Sequence, residues 1–215
     1  MVQSFNLPGI LAFAKVLANP SLAVPHIIVQ DVRCIDFAAL KAAGISAIVF
    51  DKDNTLTAPY KDSVHPPFEE AWAECRRFFT ADRLAVVSNS AGTPDDAGGV
   101  KAAAVEKALG VSVLRHEEKK PAGGHHASTH FRVPPTSIAV VGDRLLTDIV
   151  YGNLNGMLTI FASRVVTEDG DNPFAKVMRR FEWQLLARLK SWNVSATIHP
   201  AMGRIDRTSW PPGSL

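Results

Sequence analysis

The chain has 215 residues, a formal net charge of +2, 47% hydrophobic residues and 20% charged residues. That length holds one well-buried domain with tails and is short for two independent cores. The apolar content excludes wholesale disorder, and the small net charge argues against a nucleic-acid partner. In chain order, residues 1–35 read as a nonpolar leader. Its uncharged stretches, 1–14 and 16–29, fall short of the ~18–20 apolar residues of a membrane-spanning helix, and it lacks the pattern of a secretory signal or an arginine-rich transit peptide. A short helix is predicted over 36–43, ending at Gly44, and a strand over 47–51. A helix over 68–80 sets Phe68, Trp72, Cys75 and Phe79 on one face, followed by a strand over 84–88. There follow a helix over 95–109 stopping at Gly110, a strand over 111–114, a helix within 122–132, a strand over 138–142, a helix over 144–154 and a strand over 157–161. An amphipathic helix over 173–192 closes a domain spanning 36–192, and the tail 193–215 has no legible role. Alternating strands and helices predict an α/β fold with a parallel sheet covered on both faces. Cys34 and Cys75 lack CxxC or paired spacing, which excludes a zinc ribbon or disulfide framework and predicts buried thiols.

The chemistry-bearing residues stand where apolar runs end. AIVFDKDNTL at 47–56, LAVVSNS at 84–90, KKP at 119–121 and IAVVGDRLLTD at 138–148 each put polar groups at the carboxyl end of a strand or just beyond one. Ligands bind at that edge of an open parallel sheet. Asp51 and Asp53 are two apart, so an extended chain would point both carboxylates the same way. One could attack phosphorus while the other, protonated, delivers its proton to the leaving oxygen. Asp143 and Asp148 gather two more acids, a crowding that a hard divalent ion such as Mg²⁺ would relieve. Four carboxylates against Mg²⁺ and Lys120 leave one negative charge, so one acid is expected to hold a proton, and the general-acid role assigns it to Asp53. Ser88 and Asn89, with the backbone N–H groups beside them, could hold phosphate oxygens, and the same residues could form a turn or helix cap. Asn54 and Thr55 are read as further phosphate contacts that could equally start a turn. Lys120, with Lys119 as the alternative, would aim an ammonium at the phosphate.

Taken together, these four segments resemble the haloacid dehalogenase superfamily of aspartate-nucleophile phosphatases over about residues 45–165. The resemblance implies a Rossmann-like three-layer sandwich in which Asp51 is the nucleophile and a Mg²⁺ ligand. Asp53 would be the acid/base and offer its main-chain carbonyl to the metal. Asp143 would be the second carboxylate ligand, Asp148 would orient a metal-bound water, and Ser88 and Lys120 would bind the transferring phosphoryl group. Too few residues separate Asp51, Ser88 and Lys120 to hold a large cap domain, so specificity is expected from docking to a surface.

The wording FDKDNTL, KKP, VGDRLLTDI and YGNLNGMLTI, with the leader ahead of IVQDVRCIDFAAL, is similar to the mitochondrial phosphatidylglycerophosphate phosphatases of fungi and plants. That resemblance implies a phospholipid substrate, a role in cardiolipin synthesis and a peripheral location on the matrix side of the mitochondrial inner membrane. The terminal helix suits such a surface. Phe174, Val177, Met178, Phe181, Leu185, Leu189 and Trp192 form an apolar stripe expected to join the core, while Lys176, Arg179, Arg180 and Lys190 surround Trp183 on the opposite face. Each basic residue near an anionic membrane contributes about 1 kcal/mol of attraction. In the leader, Phe5, Leu7, Ile10, Leu11, Phe13, Val16 and Leu17 could insert into lipid or pack against the domain or a second copy in a homo-oligomer. The alternatives are a capless phosphatase of phosphoproteins or nucleic-acid ends, and a non-catalytic phosphate-binding scaffold.

Overall fold

Alternation within the strands decides which residues meet. The computed structural model describes residues 7–117, 120–167, 169, 171, 173–206, 208, 210 and 213. Among them, β1 (Ile27–Val29), β2 (Ala47–Phe50), β3 (Leu84–Val86), β4 (Ser112–Val113), β5 (Ile138–Gly142) and β6 (Leu158–Ala162) form one parallel sheet in the order β1-β6-β5-β2-β3-β4. Every second side chain goes to the same face. Ile48, Phe50, Leu84, Val86, Ala139 and Val141 meet α2 (Phe37–Ala42), α3 (Glu69–Phe78) and α4 (Val100–Leu109) through Phe37, Leu40, Trp72, Cys75, Val105 and Leu109. Ala47, Val49, Ala85, Val87, Ile138 and Val140 meet α5 (His125–Phe131) and α6 (Val150–Leu154) through Ala127, Phe131 and Tyr151. The result is the expected α/β sandwich with helices on both faces, and no cap domain is inserted among the described residues. Cys34 and Cys75 are buried thiols.

The leader and the tail both join this domain. Ile27–Val29, inside the stretch read as a leader, pairs with β6 and extends the sheet by a strand. His26 fixes its start: one ring nitrogen lies 2.7 Å from the Thr159 hydroxyl and the other 2.8 Å from the Thr197 carbonyl. Asn153 donates to the carbonyls of Leu22 and Val24. These buried polar bonds select one seating for β1, because a slipped register would leave each group unpaired. Ahead of it, α1 (Leu7–Ala18) buries Val16 in a cluster with Leu22, Val150 and Leu189, while Phe13 and Leu17 face solvent. Phe5 lies outside the described residues, as do the side chains of Leu7, Ile10 and Leu11. In the tail, Ala201, Ile205 and Trp210 enter the core, and the Gln30 N–H donates to the Gly213 carbonyl.

The terminal helix α7 (Pro173–Ser191) has the predicted extent and a different orientation. Its inward line is Arg179, Glu182, Leu186 and Leu189, at helical spacing. The apolar stripe lies about a quarter turn away. Val177 is 62% exposed and Trp192, just beyond the helix, 66%; Phe181 also faces outward, and the Phe174 side chain is outside those described. The stripe therefore divides: Leu189 is buried and Leu185 packs against the same cluster, while Val177, Phe181 and Trp192 turn outward, and two ion pairs share the inward line with leucines. Arg180, Trp183 and Lys190 are exposed and Lys176 is half-buried, whereas Arg179 turns inward, contrary to its reading as a membrane contact.

Candidate active site

Asp51 is the first residue beyond β2, and its N–H donates to the Val141 carbonyl at 2.8 Å, so the ladder holds its backbone against β5. Asp143 likewise follows β5 directly. Gly142 ahead of it has a specific cause: a Cβ there would collide with the side chain of Asp148. Asp148 belongs to a wide, π-helical turn over Leu145–Ile149, in which the N–H groups of both Asp148 and Ile149 donate to the Arg144 carbonyl. Such turns carry side chains that an ordinary helix would aim elsewhere. Here the turn returns Asp148 to the end of β5, where its Oδ2 accepts from the Arg144 N–H at 3.1 Å. Lys120 enters from the loop after β4. Its Nζ donates to Asp51 Oδ1 and to Asp148 Oδ1, each at 2.5 Å, and its N–H donates to Asn89 Oδ1 at 2.9 Å. Lys119, the competing choice, lies outside the described residues.

Carboxylate oxygens of Asp51, Asp143 and Asp148 all lie within 4.8 Å of one another; Asp143 and Asp148 are buried, and Asp51 keeps 14% of its side chain exposed. Burial pushes the Asp51 carboxyl well up; Asp148 and Asp143 add to this, and Lys120 opposes it. Burial, reinforced by Asp148 and opposed by Arg179, raises Asp143 to about 6. For Lys120, burial disfavours the ammonium, but Asp148 and Asp51 outweigh it and the pKa rises. Three hard oxygen donors crowded this closely fit a divalent cation, whose charge would offset their mutual repulsion and their burial.

The second acid of the first motif departs from the sequence reading. The chain does not stay extended: Asn54 adopts φ 65°, and the N–H groups of Leu56 and Thr57 fold back onto the Lys52 carbonyl. The Asp53 carboxylate is not one of the group of three. It is 32% exposed, and its Oδ1 accepts from Lys52 Nζ and from the Tyr60 N–H, both at 2.8 Å. The premise that like charges crowd Asp53 fails, and the charge count omitted two cations, Lys52 and Arg179. The other expected phosphate contacts divide. Ser88 is buried, and its hydroxyl accepts from the N–H groups of Ser90 and Ala91, so the turn reading describes its present bonds. Asn54 is committed elsewhere, donating to Asp171 and accepting from the Thr167 N–H. The Thr55 hydroxyl is buried without a partner among the described residues.

Four neighbours of the site escaped the motif reading. Arg179 Nε donates to Asp143 Oδ2 at 2.8 Å, and its Nη1 donates to Asp171. Arg144 Nε and Nη2 donate to the two oxygens of Glu182, at 2.9 and 3.1 Å, which ties α7 to the residue after Asp143. His116 Nε2 lies 3.0 Å from the Ser88 carbonyl. A signal for Arg179 and Glu182 was present: they are three apart and in line with Leu186 and Leu189, a spacing that marks them as inward-facing.

A family model described as mitochondrial PGP phosphatase matches residues 7–167. The chain belongs to this family. It is a phosphatase, a hydrolase of phosphoric monoesters. Over 201 residues it is 45% identical to phosphatidylglycerophosphate phosphatase 1, chloroplastic, of Chlamydomonas reinhardtii, covering 92% of this chain and 74% of that one. Over 194 residues it is 42% identical to phosphatidylglycerophosphate phosphatase 1, chloroplastic/mitochondrial, of Arabidopsis thaliana, covering 88% of this chain and 54% of that one. The chain thus spans about half the length of the Arabidopsis relative. The mitochondrial phosphatidylglycerophosphatase of Saccharomyces cerevisiae is 33% identical over 185 residues, which cover 84% of this chain and 96% of the yeast protein. Every carboxylate of the buried group lies within the matched family span.

Proposed function

We propose that this chain hydrolyses phosphatidylglycerophosphate to phosphatidylglycerol and phosphate, with Mg²⁺ as cofactor and Asp51 as nucleophile, on the matrix side of the mitochondrial inner membrane. The observation that carries the chemistry is the buried Asp51–Lys120–Asp148 bridge beside Asp143. Asp51 and Asp143, with the main-chain carbonyl of Asp53, would hold the ion. Bound there, it supplies the positive charge that lets a carboxylate approach an anionic phosphate. An Asp51 oxygen attacks phosphorus, the bond to the glycerol oxygen breaks, and Asp53 gives that oxygen its proton. Asp53 then takes a proton from the water that attacks the aspartyl-phosphate, which releases phosphate and restores Asp51. For both steps the Asp53 carboxylate must leave Lys52 and the Tyr60 N–H and turn toward Asp51. Lys120 and Thr55 neutralise or hold phosphoryl oxygens, and Asp148 keeps Lys120 in place.

The names of the relatives support the lipid substrate, and the family description supports the mitochondrion. The product, phosphatidylglycerol, would then serve cardiolipin synthesis. The surface agrees with an interfacial enzyme: Phe13 and Leu17 on α1, Val177 and Phe181 on α7, and Trp192 just beyond it are exposed, the Arg188 guanidinium lies over the Trp192 ring, and Arg180 and Lys190 are exposed on the same helix. Apolar groups among cations suit insertion at an anionic lipid surface. Among the described residues no helix is long and apolar enough to cross a membrane. A phosphate-release screen tests the reading: phosphatidylglycerophosphate vesicles should be turned over at least tenfold faster than water-soluble phosphate esters or phosphopeptides. Preference for a phosphopeptide would replace the lipid assignment, and organelle fractionation tests the compartment.

A further inference from the structure

The carboxylate at the end of β5 is shared with a guanidinium that none of the four motifs supplies. Arg179, in the second turn of α7, is clamped between Asp143 and Asp171, and Asp171 also accepts from Asn54 in the loop after β2. Its side chain is 12% exposed, close to the 14% of Asp51 and above the 1% of Asp143 and Asp148 and the 2% of Lys120, so it opens toward the same mouth as the nucleophile. Among the described residues Nη2 has no acceptor, so the fork keeps donors for a ligand. Lys120 is already engaged twice on the floor of the site. Two cations therefore stand at different depths, one at the nucleophile and one toward the outside.

We propose that Arg179 is a specificity-determining residue that binds the second phosphate of the substrate, the phosphodiester one glycerol unit from the phosphomonoester attacked by Asp51. The inference rests on the lipid reading above and adds the group that would enforce it. Distances support it. Asp51 and Asp143 present oxygens within 4.8 Å of each other, and Arg179 Nε is 2.8 Å from Asp143 Oδ2, which keeps the guanidinium within reach of a group one short bridge away from the nucleophile. Two phosphorus atoms joined through a three-carbon bridge are separated by about 7 Å when extended. The chemistry supports it as well: a planar guanidinium binds two phosphate oxygens at once, which an ammonium cannot, and two carboxylates aim this one in advance. A phosphodiester carries one negative charge and can replace one of those carboxylates on the fork. A substrate with a lone monoester would leave Arg179 with its carboxylates and gain nothing from it.

The test compares two lipids in the same mixed micelles, phosphatidylglycerophosphate and phosphatidate, the latter having a terminal monoester and no neighbouring diester. Both rates are expected to fall in Arg179→Gln, because Asp143 loses a partner. The fall in kcat/KM on phosphatidylglycerophosphate should be at least tenfold larger than on phosphatidate and should reside mainly in KM, with partial recovery in Arg179→Lys. Equal losses on the two lipids would overturn the assignment and leave Arg179 as a positioning residue for Asp143. Should Arg179→Gln fail to fold, the same comparison with Arg179→Lys decides: that variant keeps the charge and lacks the fork, and equal losses again overturn the proposal. Failure of the underlying lipid reading looks different, because wild-type enzyme would then show no preference between the two lipids.

Discussion

Replacing Glu182 by leucine should detach α7 from the catalytic loop. Glu182 is almost fully buried, accepts both forks of Arg144 and also accepts from the Leu146 N–H at 3.3 Å. In the variant the Arg144 guanidinium, with 21% of its side chain exposed, keeps its charge and loses its counter-ion. Removing one partner of a buried pair costs about 3–5 kcal/mol, and partial access of water to Arg144 places this case near 3 kcal/mol. For a chain of this size that lowers the melting temperature by about 6–12 °C. Arg144→Met should cost a similar amount. The double variant should cost clearly less than the two together, by at least about 2 kcal/mol, because neither charge is then stranded. Urea denaturation of the four proteins measures the cycle. Additive losses would refute the reasoning, since the two side chains would then act independently.

Asp51→Asn should reduce turnover by on the order of three decades or more with no loss of folding, and phosphate trapped during turnover should be found on Asp51 alone; near-native activity would assign the nucleophile elsewhere. Exhaustive chelation should silence the wild-type enzyme, and activity that survives it would remove the metal from the mechanism. Metal affinity should also depend on pH. Asp143, raised to about 6, binds a proton in the metal-free fold that the unfolded chain binds only in the lower, ordinary carboxyl range. That proton's contribution to stability is complete at low pH and is lost as pH rises through about 6. A divalent ion must displace it, so affinity should rise roughly tenfold per pH unit below 6 for each proton released, with proton release visible by calorimetry in different buffers. Affinity constant from pH 5 to 7 would contradict this. Finally, replacing Val177, Phe181 and Trp192 together by serine should weaken flotation with anionic vesicles severalfold while leaving hydrolysis of a soluble ester intact; unchanged flotation would remove this face from the membrane reading.

The strands that carry the site were legible because a buried parallel strand is a short Val/Ile-rich run stopped by polar residues, and 138–142 was read with its observed limits. β1 was not legible, since Ile27–Val29 has only three residues inside a longer apolar stretch, and its register depends on His26, Thr159 and Asn153 far away in sequence. Two readings from local periodicity left out charges that take part. The Asp51–Asp53 spacing says nothing of Lys52, whose ammonium holds the Asp53 carboxylate. The stripe on α7 suggested a core face, but Glu182 and Arg179 find Arg144 and Asp143, and a paired charge can occupy a buried line that periodicity reserves for leucine.

The tail that resisted interpretation has a protective consequence. β1 lies at the border of the sheet, and the Gln30 N–H there is met by the Gly213 carbonyl, while Thr197 holds the ring that anchors its start. Cutting the chain after α7 would strip Ile205 and Trp210 from the interior and expose a hydrogen-bonding margin to any passing polypeptide. Such a shortened protein should self-associate as fibrous or amorphous aggregates even with every catalytic carboxylate retained, so the last two dozen residues guard solubility rather than chemistry.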